Sequence, residues 1–194
     1  LPAYDQIIQG MSGVMSITGA PENAPYRVGY PMADTIGGIT AAFAVAAALA
    51  DRNRTSGTFI DVSMLEAVMA TMGWAVSNHL IAGREPKPMG NENVTASPSG
   101  TFQTQDGLLN IAANKQEQFE AVCHVVGLPQ LIADERFHER QSRLQNRAEL
   151  KALLEEAMST KTTEEWWKLF NRAGVPAGPV YSVPQALDHP QVLA

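Results

Sequence analysis

The sequence predicts an α/β protein: part of a large α/β domain followed by a small α+β domain. Three stretches predict it. Residues 30–50 form a long apolar helical segment, and a turn, a β-rich run at 58–62 and a second helical segment follow it. Residues 84–99 collect Pro86, Pro88, Pro98 and Gly90 among Asn and Ser, so they read as a linker. Beyond the linker, Asp106-Gly107 separates two β-like runs, and amphipathic helices follow, the signature of a small mixed unit. The expected division is 1–83 for the large-domain part, 84–99 for the linker, 100–180 for the small domain and 181–194 for a segment returning towards the large domain.

Taken in order, Tyr4-Asp5-Gln6-Ile7-Ile8-Gln9 opens a short helix that Ser12-Gly13 interrupts. Thr18-Gly19-Ala20-Pro21 and Ala24-Pro25 make a turn-rich loop. Asp34 and Thr35 are both N-cap types at the mouth of the apolar helix. Past Thr40 that helix has no polar face, so burial on all sides is expected. Thr58-Phe59-Ile60-Asp61-Val62 alternates polar and apolar residues and predicts a strand. Ser63 with Glu66 three residues on forms a capping box for a helix reaching about Ala82 and stopped at Gly83. In the second region, strands are expected at 100–104 and 108–112, and helices at 116–126, 143–159 and 163–173. Thr162 or Thr163 caps the last of these, and Gly174 ends it. Trp166 and Trp167 are expected as packing anchors, Val180-Tyr181 as a short strand, and Ser182 as the cap of a final helix near 184–187.

Bulk properties narrow the function. With a net charge of −6 and no Lys/Arg run, the chain offers no basic surface for nucleic acid. One cysteine, Cys123, permits no intrachain disulfide and suits a reducing cytoplasm. The apolar run 36–50 is short for a bilayer, which takes roughly 20 residues, so no membrane partner is expected. There is no Gly-x-Gly-x-x-Gly, P-loop or Gly-x-Ser-x-Gly pattern, and the four histidines lack metal-ligand spacing, so no metal is expected. The chain begins at Leu1-Pro2 with residues that already read as structured, which suggests an internal piece of a longer protein.

Asp34 is the residue on which chemistry could rest. As a helix cap it would contribute about 1 kcal/mol. As a nucleophile it would be held ionised by the helix dipole, with an apolar helix behind it to exclude water. Gly37 and Gly38 favour the second reading. Each glycine costs about 1 kcal/mol in a helix relative to Ala, so the pair points to close approach by a ligand or another backbone.

Together these residues resemble family III CoA-transferases, the superfamily of formyl-CoA transferase, carnitine CoA-transferase and α-methylacyl-CoA racemase. The resemblance runs through Tyr4-Asp5-x-x-x-Gln9-x-x-Ser12-Gly13, Gly29-x-x-x-x-Asp34-x-x-Gly37, Ala47-Ala48-Leu49-x-x-Arg52-x-Arg54-Thr55 and Asp61-Val62-Ser63-Met64-Leu65-Glu66-Ala67. It continues in Gly100-Thr101-Phe102 and Gly174-Val175-Pro176-x-Gly178-Pro179-Val180. It implies a Rossmann-like large domain, of which this chain would hold the later part, and an interlocked homodimer. It implies that Asp34 is the nucleophile, that Tyr4, Asp5 and Gly37 line the active site, and that Met64 lies near the CoA moiety. It also implies a flap at Gly90 and Asn91, although the family's glycine run is absent from Met89-Gly90-Asn91-Glu92-Asn93. The implied activity moves coenzyme A from an acyl-CoA to a free carboxylic acid through aspartyl anhydride and aspartyl-CoA thioester intermediates. No permanent cofactor is expected; the coenzyme A thioester is substrate. The rivals are racemisation and a non-catalytic assembly module. Racemisation needs a base on each face of the α-carbon, and Tyr4 stands where related racemases carry a histidine. An unperturbed tyrosine, with a pKa near about 10, is a poor base at neutral pH.

Overall fold

The computed structural model describes residues 3–53 and 55–194. Arg54, part of the resemblance, lies outside the described residues, as do Leu1 and Pro2. The chain forms two compact units, one running to Gly90 and the other from Asn91 to Ala194. Mixed helix and a small antiparallel sheet make up the whole, in keeping with the predicted class.

Among its described residues, the regular structure of the first unit is all helical. Helix α1 spans Asp5–Met11, and Gly13, at φ +84°, turns the chain into a short 3-10 helix at Val14–Ile17. Helix α2 spans Met32–Ala50, α3 Met64–Thr71 and α4 Trp74–Ala82. Ile8, Val14, Met32, Ala33 and Val68 form the core where α1, α2 and α3 meet. The side chain of Ser63 accepts from the Glu66 N–H, so the predicted cap of α3 is present. Gly83 closes α4 in the left-handed region, with its N–H on the His79 carbonyl and the Arg84 N–H on that of Asn78.

Four expectations fail in this unit. Residues 58–62 form no strand, because among the described residues no segment pairs with their N–H and C=O groups. The helix expected from Ser63 to Ala82 is two helices, broken where Gly73 turns to φ +45°. Asp34 and Thr35 do not cap α2: the N-cap is Pro31, which places Asp34 inside the first turn. Finally, α2 is not buried all round. Only Met32, Ala33 and Gly37 are buried, and Ile39, Phe43 and Leu49 are 65%, 74% and 66% exposed. The reason is that, among the described residues, α2 packs mainly on α1 and α3. At 19 residues it is also long and apolar enough to cross a membrane by length and composition, which the run 36–50 alone had not suggested.

The second unit is a three-stranded antiparallel sheet, β1 (Ser99–Gln103), β2 (Leu108–Ala112) and β3 (Ala177–Pro179), in that order. Helices α5 (Gln116–Val126), α6 (Arg140–Gln145), α7 (Arg147–Met158) and α8 (Thr163–Arg172) supply the rest of its core. Phe102, Leu109 and Ile111 from the sheet pack with Phe119, Leu154 and Trp166 from the helices. The expected helix 143–159 is two, divided at Asn146, and the expected strand at 180–181 lies earlier, at 177–179. Short helices α9 (Val183–Leu187), capped by Ser182 as expected, and α10 (Pro190–Leu193) end the chain.

Two carboxylates organise the start of α8. Asp106, in the hairpin loop, accepts from the Thr163 N–H and hydroxyl at 2.7 and 2.8 Å. Glu165 completes the capping box with Thr162. These hydrogen bonds hold both carboxyls below their ordinary range, the backbone N–H of Thr163 acting first on Asp106 and that of Thr162 on Glu165. Asp134 is lowered further, to about 2, mainly by its side-chain hydrogen bonds with Arg136. Arg143, 3% exposed, donates to the carbonyls of Ser97 and Phe137 and lies over the Phe119 ring. Burial pushes the neighbouring Cys123 thiol up to about 12.

A folded-state pKa below the unfolded one gives stability that is present above the unfolded value and lost as pH falls through the folded value. Melting temperature should therefore fall between about pH 4 and pH 2, the range that separates an unperturbed Asp from Asp134. Asp106→Asn should lower the melting temperature at neutral pH and flatten this acid limb. Circular dichroism melts across a pH series check both.

Candidate active site

The site is built from the base of α2 upward. The first amides of a helix lack intrahelical acceptors and must be satisfied from outside. Here the Ala33 N–H donates to Asp5 Oδ1 at 2.7 Å, so α1 caps α2 across a separation of 28 residues. Gln9 Nε2 donates to the other Asp5 oxygen at 2.8 Å. The same amide group donates to the Tyr30 carbonyl at 3.3 Å, and its Oε1 accepts from the Val28 N–H at 2.9 Å. Gln9 is completely buried and Asp5 is 9% exposed. A closed polar network thus ties α1, the 28–30 segment and the first turn of α2 together.

Asp34 sits one residue beyond Ala33 and is exposed. Its place in the first turn puts a negative charge where the helix dipole favours one. Met32 donates its N–H to the Tyr30 carbonyl at 2.7 Å, and Thr35 donates both its N–H and its hydroxyl to the Pro31 carbonyl. The backbone on both sides of Asp34 is therefore fixed while its carboxylate faces outward.

The other predicted site residues each make contacts of their own. Tyr4 is the N-cap of α1; its carbonyl accepts from Ile7 and Ile8, and its side chain is 83% exposed. Gly37 is buried, and a Cβ on it would stand 2.9 Å from Met64 Cγ, so the glycine lets α3 approach α2. Met64 is half-buried and packs against that glycine and the first unit's core. Gly38 faces open space, so close approach explains only one of the pair. Gly90, at φ +58°, donates its N–H to the Gly19 carbonyl at 2.9 Å, and a Cβ on it would stand 3.3 Å from Ala20 Cβ. Asn91 is exposed and opens the second unit, where Arg147 holds the Asn93 carbonyl and Lys151 pairs with Glu92 at 2.8 Å. Gln9 belongs to the resemblance but carries no expected site role. Its signal was an amide four residues after an acid on a short, otherwise apolar helix face.

Two cavities lie away from Asp34. One of about 380 Å³ in the first unit is lined by Ser12, Met72, Ala75 and His79, and one of about 590 Å³ in the second by Trp167, Tyr181 and His189. Neither is lined by Asp34.

The profile of CoA-transferase family III matches residues 1–194. The chain belongs to CoA-transferase family III. It is 39% identical to the acetyl-CoA:oxalate CoA-transferase of Acetobacter aceti, with all of this chain aligned to 50% of that protein. It is 37% identical to the succinyl-CoA:glutarate CoA-transferase of Mus musculus, with 98% of this chain aligned to 44% of the relative. Among solved structures, a CAIB/BAIF family protein from Brucella suis superposes with a TM-score of 0.88 at 34% identity, covering 98% of this chain and 51% of that one. The chain spans about half the length of the curated relatives it matches.

The two glycines of the family III segment should part company on mutation. Gly37→Ala drives a methyl into Met64 and should destabilise by about 1–3 kcal/mol. Gly38→Ala meets nothing and should be neutral or stabilise by up to about 1 kcal/mol. Urea unfolding of the two variants checks the contrast.

Proposed function

We propose that the whole protein transfers coenzyme A from an acyl-CoA thioester to a free carboxylic acid, with Asp34 as the nucleophile. The observation that supports this most directly is the exposed Asp34 carboxylate on a helix turn fixed by the buried Asp5–Gln9 network. Family membership supplies the chemical context.

In the proposed sequence, an Asp34 carboxylate oxygen attacks the thioester carbonyl carbon, the C–S bond breaks, and coenzyme A leaves as thiolate. The product is a mixed anhydride on Asp34. The thiolate then attacks the Asp34 carbonyl carbon, the anhydride C–O bond breaks, and the donor acid departs as carboxylate, leaving an aspartyl-CoA thioester. The acceptor carboxylate attacks that same carbon and expels the thiolate. Attack of the thiolate on the acceptor's acyl carbon then yields the new acyl-CoA and frees Asp34. Every step exchanges one bond for another and consumes no net proton. Splitting one difficult exchange into acyl transfers to and from a fixed carboxylate is the advantage of covalent catalysis. The anhydride survives only where water is kept away.

A small dicarboxylic acid is the acceptor we favour, because oxalate and glutarate are the acids named for two of the relatives. We read the uncovered face of α2, with Ile39, Phe43 and Leu49, as packed against a further layer of the large domain in the whole protein. Relatives of about twice this chain's length leave room for that layer, and for the remainder of the site around Met64 and Tyr4. An interlocked homodimer is the assembly proposed, with the flap at Gly90 and Asn91 closing over the intermediate.

In the full-length protein, Asp34→Ala and Asp34→Asn should reduce transfer at least about 10³-fold with little change in melting temperature. Incubation with acyl-CoA and then hydroxylamine should modify Asp34 in the wild type alone, read by peptide mass. Wild-type turnover in Asp34→Ala would remove the nucleophile from the scheme. Exchange of the acyl α-proton with deuterated solvent, without any acceptor acid, would favour racemisation instead.

A further inference from the structure

We infer that Asp5 and Gln9 are positioning residues for Asp34, acting as one hydrogen-bonded unit rather than contacting substrate. The inference rests on the proposed role of Asp34. Asp5 has its two oxygens committed, one to the Ala33 N–H and one to Gln9 Nε2. Gln9 has its carbonyl oxygen on the Val28 N–H, and its amide nitrogen serves both Asp5 and the Tyr30 carbonyl. Both side chains are buried beneath α2. Ala33 immediately precedes Asp34 in the chain. A shift of the Ala33 amide therefore moves the Asp34 backbone directly, and with it the direction in which the carboxylate attacks.

The polarity of the network is fixed, which makes it testable. In Asp5→Asn, an amide nitrogen meets either the Ala33 N–H or the Gln9 NH₂, donor against donor. In Gln9→Glu, two carboxylates face each other in a buried setting. In the double variant the polarity is exchanged but consistent. The amide at position 5 accepts from Ala33 and donates to the carboxylate at position 9, whose other oxygen accepts from Val28. At Tyr30 a carboxylate oxygen then faces the carbonyl, acceptor against acceptor, across the longest contact of the network, 3.3 Å, so recovery is partial.

The experiment uses the full-length protein with acetyl-CoA, succinyl-CoA, oxalate and glutarate as probes. It measures kcat, KM for acyl-CoA and the single-turnover rate of hydroxylamine-sensitive modification at Asp34. Each single variant should lose about 100-fold in kcat and in the modification rate, the scale expected when a reacting group is misplaced by about 1 Å, with KM for acyl-CoA within about 3-fold. The double variant should recover at least about 10-fold over either single variant, as coupled partners do. Wild-type rates in either single variant would overturn the inference, as would a folded double variant no faster than Asp5→Asn. The latter is the result expected if Asp5 itself acts on substrate. If the wild type transfers coenzyme A between none of these pairs and acquires no modification, the proposed function fails and the inference falls with it. Wild-type transfer with unaffected variants would sink the inference alone. Single variants too unstable to assay leave the double variant against the wild type as the deciding comparison.

Discussion

One hydrogen bond, from the Ala33 N–H to Asp5, governs the architecture of the first unit. Burying a carboxylate is costly unless its oxygens are satisfied. Here each oxygen receives an N–H, one from the backbone of α2 and one from Gln9. Gln9 extends the constraint to Val28 and Tyr30, so a stretch without regular structure acquires a defined path into the helix. The loop before it is fixed by its own contacts. Tyr26 donates its N–H to the Thr18 carbonyl, and Gly19 leaves room for the Tyr26 ring, where a Cβ would stand 2.8 Å from it. A site residue on a helix rather than a loop gains from this arrangement, because the helix transmits the position of its first turn rigidly.

Locally determined features were legible in the sequence. The capping box of Thr162 and Glu165, that of Ser182 and Gln185, the Ser63 cap and the glycine stops at Gly83 and Gly127 all involve residues a few positions apart, and each forms. The hairpin and the amphipathic helix Gln116–Val126 were legible for the same reason. What failed depends on partners distant in sequence. Residues 58–62 have the alternation of a strand but no strand beside them. Asp34 has the chemistry of a cap, yet an acid 29 positions earlier in the chain, Asp5, takes that work through Ala33. Asn146, an ordinary residue in a helical run, separates α6 from α7 at φ −103° and ψ 24°. In the candidate site, Asp34 and Gly37 stood out because an acid and a helical glycine are locally anomalous. Gln9 did not, since its importance lies in three contacts made across the fold.

The two ends of α2 stand in contrast. Its first turn is among the most tightly bonded parts of the unit, whereas Phe43 and Leu49 further along are largely exposed. An apolar helix face this open is unusual on a soluble surface and marks a place made for contact. The capped turn needs none of that contact to hold its shape. Asp34 is thus placed by residues within this chain.

The two acids near the base of α2 consequently have unequal freedom. Asp5 is buried, and both of its oxygens accept hydrogen bonds from fixed donors. Each oxygen keeps a further lone pair, but burial leaves little room for a substrate to reach it. Asp34 has no such commitment among the described residues and faces outward from a helix turn that favours its charge. Tyr4, beside Asp5 in sequence, points away into solvent. Chemistry that needs a matched pair of bases is therefore poorly served by this constellation. Chemistry that needs one free carboxylate, held by a second that never leaves its place, is served well.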